Sequence, residues 1–186
     1  MAIEILPPQH VWADEFQALK LRILLLAPPR AVIHHIGSTA VSGLAAKDII
    51  DVQLTVDSLE GVDVEAFRNS GFRQSSASID HQPLGMSIAD VELRKILFRS
   101  TQGRSLNIHV RERGRFNQRY PLLCRDFLRS HPVAAGAYGL IKQRLAERFP
   151  DDEDFYYDIK DPVFDLIVEG ANEWARVVAW KEPDGD

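Results

Sequence analysis

Two short segments of this chain alternate strictly between apolar and polar side chains. IIDVQL, at 49–54, carries apolar side chains at 50, 52 and 54 and polar ones at 51 and 53. SLNIHVR, at 105–111, carries apolar side chains at 106, 108 and 110 and polar ones between them. A period of two is the signature of a β-strand with one buried face. The sequence therefore predicts a sheet with one apolar and one polar face.

The polar face of this predicted sheet combines side chains from both segments, since strands of one sheet share their two faces. Its members are Asp51, Gln53, Asn107, His109 and Arg111. A half-solvated face of an antiparallel sheet is the simpler interpretation. A binding site is the alternative, because a carboxylate and a histidine among neutral polar groups differ from an ordinary Lys, Glu and Thr surface.

A Gly-Ser-Thr turn lies between the predicted strand AVIHHI and the segment that carries Asp51. Gly37 lets backbone N–H groups come close to a phosphate, and Ser38 and Thr39 add hydroxyl donors. A carboxylate on the following strand has the chemistry to hold a divalent cation. The sequence leaves two interpretations open, a phosphate-and-metal site or a plain turn between two core strands.

The remaining patterns predict an α+β fold, with a mixed or antiparallel sheet and a C-terminal helical layer, in one domain over 1–186. The α/β core covers about 1–112 and the helical part about 113–180. Strands are predicted at 31–36, 48–56, 91–100 and 104–112, and helices at 10–27, 63–71, 116–129, 132–148 and 152–178. The segment 72–87 is a loop or a weak edge strand, and Pro162 is expected to kink or divide the last helix.

Composition narrows the function classes. The net charge of −5 argues against a general nucleic-acid binder, which carries a basic excess. No apolar run approaches the length of a membrane span, and no signal peptide is visible at the N-terminus. The single Cys124 cannot form an internal disulfide and is expected to be a buried structural thiol. We expect a cytoplasmic protein with a small-molecule or nucleotide ligand.

The stretch HIGSTAVSGLAAKDIID resembles the signature of the GrpB family, His-Ile-Gly-Ser-Thr-x-Val-Pro-Gly-Leu followed by Ala-Lys-Pro-Ile-Ile-Asp. The resemblance continues through CRDFLRSHP at 124–132 and AYGLIKQRLAERFPDD at 137–152. The GrpB family is assigned to the nucleotidyltransferase superfamily, with the DNA polymerase β-like fold. Related domains are fused to dephospho-coenzyme A kinases, which indicates a nucleotide context.

The resemblance implies roles for individual residues. Gly37 and Ser38 match the phosphate-contacting turn, and Asp51 matches the first metal carboxylate. The second carboxylate position falls on Gln53, and the third lies near His109. The implied cofactors are Mg²⁺ or Mn²⁺ with a nucleoside triphosphate, held by Asp51, Gln53 and His109, with His109 as ligand or acid/base.

The chain departs from the superfamily pattern at Gln53, which is neutral where an active transferase carries a carboxylate. Two-metal chemistry needs several anionic ligands. The sequence therefore predicts either a metal-dependent nucleotidyltransferase acting on a small molecule or protein, or a non-catalytic nucleotide- or metabolite-binding module.

Cations further along the chain leave similar alternatives. Lys47 pairs with a phosphate or is a loop cation, and Arg111 binds an anion or pairs with an acid. Tyr138 and Lys142, like Tyr156 and Lys160, stand four residues apart, so each pair shares a helix face. In the simpler interpretation these helix faces only pack against the rest of the protein. The resemblance to the GrpB family suggests instead that they close over the site.

Overall fold

A computed structural model describes residues 2–186 of the chain. It contains five α-helices and five β-strands: α1 Val11–Leu24, β1 Val32–Ile36, β2 Ile50–Val56, α2 Val64–Asn69, β3 Phe72–Gln74, β4 Ile96–Ser100, β5 Leu106–Glu112, α3 Phe116–Ser130, α4 Pro132–Arg148 and α5 Glu153–Val178. Every predicted helix and strand is present, although β4 begins at Ile96, five residues after the predicted start, because residues 90–92 form a 3₁₀ turn. The segment after α2 forms the short edge strand β3 and then a long loop.

The strands form one mixed sheet in the order β1-β2-β5-β4-β3. Only β2 and β5 run parallel, and the other neighbours are antiparallel. The α+β fold with a C-terminal helical layer is therefore confirmed. In the parallel pair Asp51 lies beside Asn107 and Gln53 beside His109, so the two alternating segments are in register.

One face of the sheet forms the main core. Ile50, Val52, Leu54, Ile108 and Val110 are all fully buried. They pack against apolar side chains of α1 and α2, since the same cluster contains Trp12, Phe16, Ile23 and Phe67. Burying each of these side chains contributes about 1.5–3 kcal/mol, which fixes the register of β2 and β5.

The opposite face lies under the C-terminal helices. Arg125 of α3 donates through Nη1 to the carbonyl oxygen of His35 in β1, at 2.9 Å. The side chain of Gln53 donates to the carbonyl oxygen of Gln118 in α3, at 2.8 Å. The polar face therefore lies beneath the helical layer and is not an open, half-solvated surface.

The last helix continues through Pro162 and is not divided there. A proline inside a helix removes one backbone donor and strains the preceding turn. Before this position Tyr156 packs against α4, and after it Ala171 packs against α3. Asp152 caps the start of α5 by accepting from the backbone N–H of Phe155 at 2.9 Å. No helix among residues 2–186 is both long and apolar enough to cross a membrane.

Candidate functional site

The turn after β1 brings the backbone against Asp51. Gly37 has φ +71° and begins a single 3₁₀ turn over Ser38–Ala40. A Cβ atom at Gly37 would lie 2.6 Å from Oδ2 of Asp51, and the backbone is in a region that favours glycine. The carboxylate on β2 is thus pressed against the Gly-Ser turn, which only glycine permits.

Asp51 and His109 lie next to each other on neighbouring strands. Asn107 donates through Nδ2 to Oδ1 of Asp51 at 2.9 Å, and Nε2 of His109 is 3.7 Å from the same oxygen. Arg111 approaches Nδ1 of His109 through Nη2 at 3.3 Å. Because a guanidinium can only donate, Nδ1 accepts and the ring proton is on Nε2, facing Asp51.

The pKa values of this pair follow from the same contacts. Burial opposes the ionisation of Asp51, but His109 and Asn107 outweigh it and hold the pKa of Asp51 below its usual value. Burial lowers the pKa of His109, and the charge of Arg111 lowers it further, against the opposing effect of Asp51. At neutral pH the site therefore holds a carboxylate beside a neutral imidazole.

Gln53 does not reach the cleft described below. It is fully buried, its Oε1 accepts from Nη1 of Arg111 at 2.8 Å, and its Nε2 donates to the carbonyl oxygen of Gln118. Both ends of the amide are used in packing α3 against the sheet. The side-chain oxygen of Gln53 is therefore engaged by a guanidinium, and the assignment of Gln53 to the metal ligands stays a prediction.

Asp80, in the long loop between β3 and β4, is a member of the site that the sequence analysis missed. Its carboxylate accepts from Nε and Nη2 of Arg111 at 2.8 and 3.0 Å, from Lys95 at 2.6 Å and from Asn117 at 3.0 Å. Burial opposes its ionisation, but Arg111 and Lys95 hold the pKa of Asp80 far below its usual value. Arg111 is thus held by an internal acid, and no periodic pattern in its loop pointed to Asp80.

Lys142 of α4 reaches across the layers to the Gly-Ser turn. Its Nζ donates to Oγ of Ser38 at 2.7 Å and to the carbonyl oxygen of Ala45 at 2.5 Å. The residue is only 2% exposed, and no carboxylate among residues 2–186 forms an ion pair with it. Burial, aided by the charge of Lys160 and opposed by Asp51, lowers the pKa of Lys142 to about 7.

The other cations on the helical side lie on aromatic rings. Lys47 is 4.5 Å from the ring centre of Tyr156 and 4.7 Å from that of Tyr157, and it pairs loosely with Glu153 at 3.6 Å. Burial lowers the pKa of Lys47 against the effect of Glu153. Lys160 lies 5.1 Å from the ring centre of Tyr157. Lys160 also pairs with Asp161 at 2.8 Å. The aromatic faces and these acids together hold both ammonium groups at the cleft.

Thr39 has a mainly structural set of partners. Its hydroxyl donates to the carbonyl oxygen of Ile49 at 3.3 Å and lies 3.0 Å from Nε2 of His35. His35 is buried and stacks on the ring of Phe16, with 4.7 Å between ring centres. These contacts join the turn to the core, whereas the hydroxyl of Ser38 faces Lys142.

These groups line one half-open cleft of about 470 Å³ between the sheet and the helical layer. Gly37, Ser38, Thr39, Lys47, Asp51, His109 and Arg111 all line it. Both Tyr-Lys pairs of α4 and α5 line it as well. The cations among its lining residues outnumber the carboxylates, with Lys47, Lys95, Arg99, Arg111, Arg125, Lys142 and Lys160 against Asp51, Asp80 and Asp161. This excess of cations among the lining residues, in a chain of net charge −5, favours an anionic ligand.

The donor set does not fit a pair of divalent metal ions. Among residues 2–186, no three His, Cys, Asp or Glu side chains come close enough to hold a metal ion. Asp51 is the carboxylate that lies against the turn, while Asp80 is engaged by Arg111 and Lys95. Two-metal chemistry requires several anionic oxygens around both ions, and this arrangement offers positive charge there instead.

The family described as "GrpB protein" has a sequence model that matches residues 2–170. The chain is 32% identical over 175 residues to the UPF0157 protein YqkA of Bacillus subtilis, covering 94% of this chain and 48% of that protein. It is 29% identical over 200 residues to a dephospho-CoA kinase of Mycolicibacterium paratuberculosis, covering 96% of this chain and 48% of the kinase. The chain thus spans about half the length of these two relatives.

A solved structure matches over nearly its whole length. The crystal structure of the conserved protein GrpB from Enterococcus faecalis superposes with a TM-score of 0.75 and 27% identity, covering 92% of this chain and 99% of the other. The sheet and the helical layer are therefore shared between the two proteins.

Proposed function

This chain belongs to the GrpB family, and on that premise we propose that it binds a phosphorylated small molecule, foremost a nucleotide, in the cleft between the sheet and helices α4 and α5. The observation that carries the proposal is the buried ammonium group of Lys142, which contacts the Gly-Ser turn and has no carboxylate partner among the described residues. Buried charges in proteins are normally paired, so an anionic ligand is the natural partner of Lys142.

The neighbouring groups support a phosphate rather than a carboxylate as that anion. Ser38 offers a hydroxyl at the turn, and Lys47 and Lys160 add two further ammonium groups along the cleft. Several cations spread over one cleft suit a ligand with several negative charges. The rings of Tyr156 and Tyr157 provide flat apolar surface beside these charges, which suits a nucleobase.

The similarity to a dephospho-CoA kinase, of which this chain covers 48%, is a further reason to favour a phosphorylated ligand. Metal-dependent nucleotidyl transfer, which the sequence resemblance implies, finds less support. Asp51 and His109 are the two remaining members of the predicted ligand set, and His109 faces Asp51 with a proton on Nε2. We therefore propose binding that does not require a divalent metal.

Isothermal titration calorimetry tests this proposal with ATP, GTP, CTP, UTP and inorganic triphosphate, each with Mg²⁺, with Mn²⁺ and with a chelator. We expect binding in the chelator. Lys142→Gln should weaken it about tenfold or more, because a charged hydrogen bond contributes about 1.5–3 kcal/mol. Arg144→Gln is the matched control, since Arg144 lies on the same helix, is exposed and pairs with Glu147.

Two outcomes contradict the proposal. No heat of binding for any of these anions removes the phosphate ligand. Equal affinities for Lys142→Gln and Arg144→Gln remove the role of the cleft. Binding seen only with Mg²⁺ or Mn²⁺, and lost in Asp51→Asn, would restore the metal-dependent transferase instead.

A further inference from the structure

The hydroxyl group of Ser38 and the amino group of Lys142 are hydrogen-bonded to each other at the wall of the cleft. Oγ of Ser38 is 2.7 Å from Nζ of Lys142, and Ser38 lines the cleft while Lys142 is 2% exposed. The carbonyl oxygen of Ala45 fixes the amine from the other side. Anion binding alone does not require a hydrogen bond between the amine and the hydroxyl. Proton transfer from the hydroxyl to the amine does require this contact.

The surroundings of Lys142 allow the amine to be neutral near physiological pH. Burial, with the charge of Lys160 from α5, lowers its pKa to about 7, and Asp51 from β2 acts in the opposite direction. The ring of Tyr138, on the same helix, lies 4.7 Å from Nζ and favours the charged form. A lysine desolvated in this way is able to accept a proton from an adjacent serine.

We propose that Ser38 is a nucleophile toward the phosphoanhydride of a bound nucleotide, with Lys142 as its general base. This inference rests on the proposed function, since the cleft must first bind the phosphates. Oγ of Ser38 forms a bond to phosphorus while the bridging P–O bond of the anhydride breaks. The hydroxyl proton passes to Nζ of Lys142, and the leaving phosphate departs with the electrons of the broken bond.

The cleft holds the groups that this step needs. The product is a phosphoester on Ser38, and no oxidant or reductant takes part. Lys47 and Lys160 place positive charge along the path of the phosphates, where charge develops on the leaving oxygen. Protonated Lys142 then stands beside the new anionic ester and stabilises it.

The experiment incubates the full chain with saturating ATP in chelator and measures the intact mass, followed by peptide mapping. We expect a phosphoryl or adenylyl adduct on the peptide that contains Ser38. Its rate should rise between about pH 6 and about pH 9 as Lys142 loses its proton. Because a bound anion favours the charged form of the amine, the midpoint of this rise should lie above the pKa of the free protein. Ser38→Ala should give no adduct, and the exposed Ser42→Ala, in the same turn region, should react like the natural sequence.

Lys142→Arg separates the two roles of the lysine. Arginine keeps the positive charge but does not give up its proton in this pH range. At saturating ATP we expect the rate of adduct formation to fall by about 10²–10⁴-fold. Lys142→Met serves as a second variant, and the thermal midpoint of each variant shows that it is folded.

The outcomes distinguish this inference from the proposed function. If the natural sequence binds ATP by calorimetry but forms no adduct on Ser38 at any pH in this range, the nucleophile is refuted and the binding function stands. An adduct that forms equally fast in Lys142→Arg refutes the general base. Absence of any ATP binding refutes the proposed function itself.

Discussion

Replacing Asp80 by Asn tests whether the long loop between β3 and β4 is held by a buried charge network. Both cations that Asp80 neutralises are themselves largely buried, with side-chain exposures of 6% for Arg111 and 9% for Lys95. Asparagine has the same shape as aspartate, so the substitution removes the charge without opening a cavity. It leaves two buried cations side by side without their carboxylate.

Removing one partner of a buried ion pair costs about 3–5 kcal/mol. In a chain of 186 residues, each kcal/mol lowers the thermal midpoint by about 2–4 °C, so the expected decrease is roughly 6–20 °C. The pH dependence has a definite sign. Because Arg111 and Lys95 hold the pKa of Asp80 below its usual value against the effect of burial, its contribution is complete above about pH 4 and is lost as the pH falls further.

Thermal and urea unfolding of the variant provide the measurement, and Asp57→Asn is the matched control. Asp57 also pairs with two cations, Arg30 at 3.4 Å and Arg113 at 3.2 Å, but it is 44% exposed. Exposed pairs contribute at most about 1 kcal/mol, so the control should lose only a few degrees. Equal losses for Asp57→Asn and Asp80→Asn would refute the argument from burial.

Three further predictions concern the turn and the groups that titrate near it. Gly37→Ala should destabilise the fold and weaken ATP binding in calorimetry, because its Cβ would lie 2.6 Å from Asp51. Gly43→Ala is the control, since Gly43 also has positive φ but has open space around it. This control should retain binding at a strain cost of about 1–3 kcal/mol. ATP binding near pH 7 should take up protons, because an anion favours the charged form of Lys142, whose pKa is about 7. Calorimetry in buffers of different ionisation enthalpy measures this proton uptake. An equal uptake in Lys142→Gln would show that Lys142 is not the group that takes up the proton. Burial of His35, aided by Arg129, lowers its pKa to about 4. The free energy of unfolding should therefore fall as the pH drops from about 6.5 to that value, because the unfolded chain takes up the proton first. Urea unfolding of His35→Gln should show a smaller loss over this range.

Local patterns were sufficient to predict the sheet and its two faces. The alternation in 49–54 and 105–111 identified β2 and β5 and placed Asp51, Asn107 and His109 on one face, as the register shows. Strand periodicity is a property of the backbone, so it can be read without knowing what covers the strand. The Gly-Ser turn was visible for the same reason, since Gly37 marks a backbone conformation that other residues avoid.

The same patterns did not reveal which polar side chains are hydrogen-bonded within the protein and so are not free to bind a ligand. Gln53 alternates correctly with its neighbours, yet its amide is consumed by Arg111 and by the backbone of α3. Asp80 lies in a loop without periodicity and still supplies the central carboxylate of the network. Hydrogen-bond partners across layers depend on how the layers meet, which spacing along the chain does not encode.

The amino-acid sequence by itself determined the elements, the sheet with its apolar and polar faces, and the family. Lys142 was visible only as a residue sharing a helix face with Tyr138. Tertiary structure decided that its amine would contact Ser38, 104 positions away in sequence, at 2.7 Å. The physical reason is the distance along the chain over which each interaction acts. Periodicity and backbone conformation act between near neighbours, whereas burial and charge act through space, so only the packing of α4 on the turn could create a desolvated lysine behind the serine.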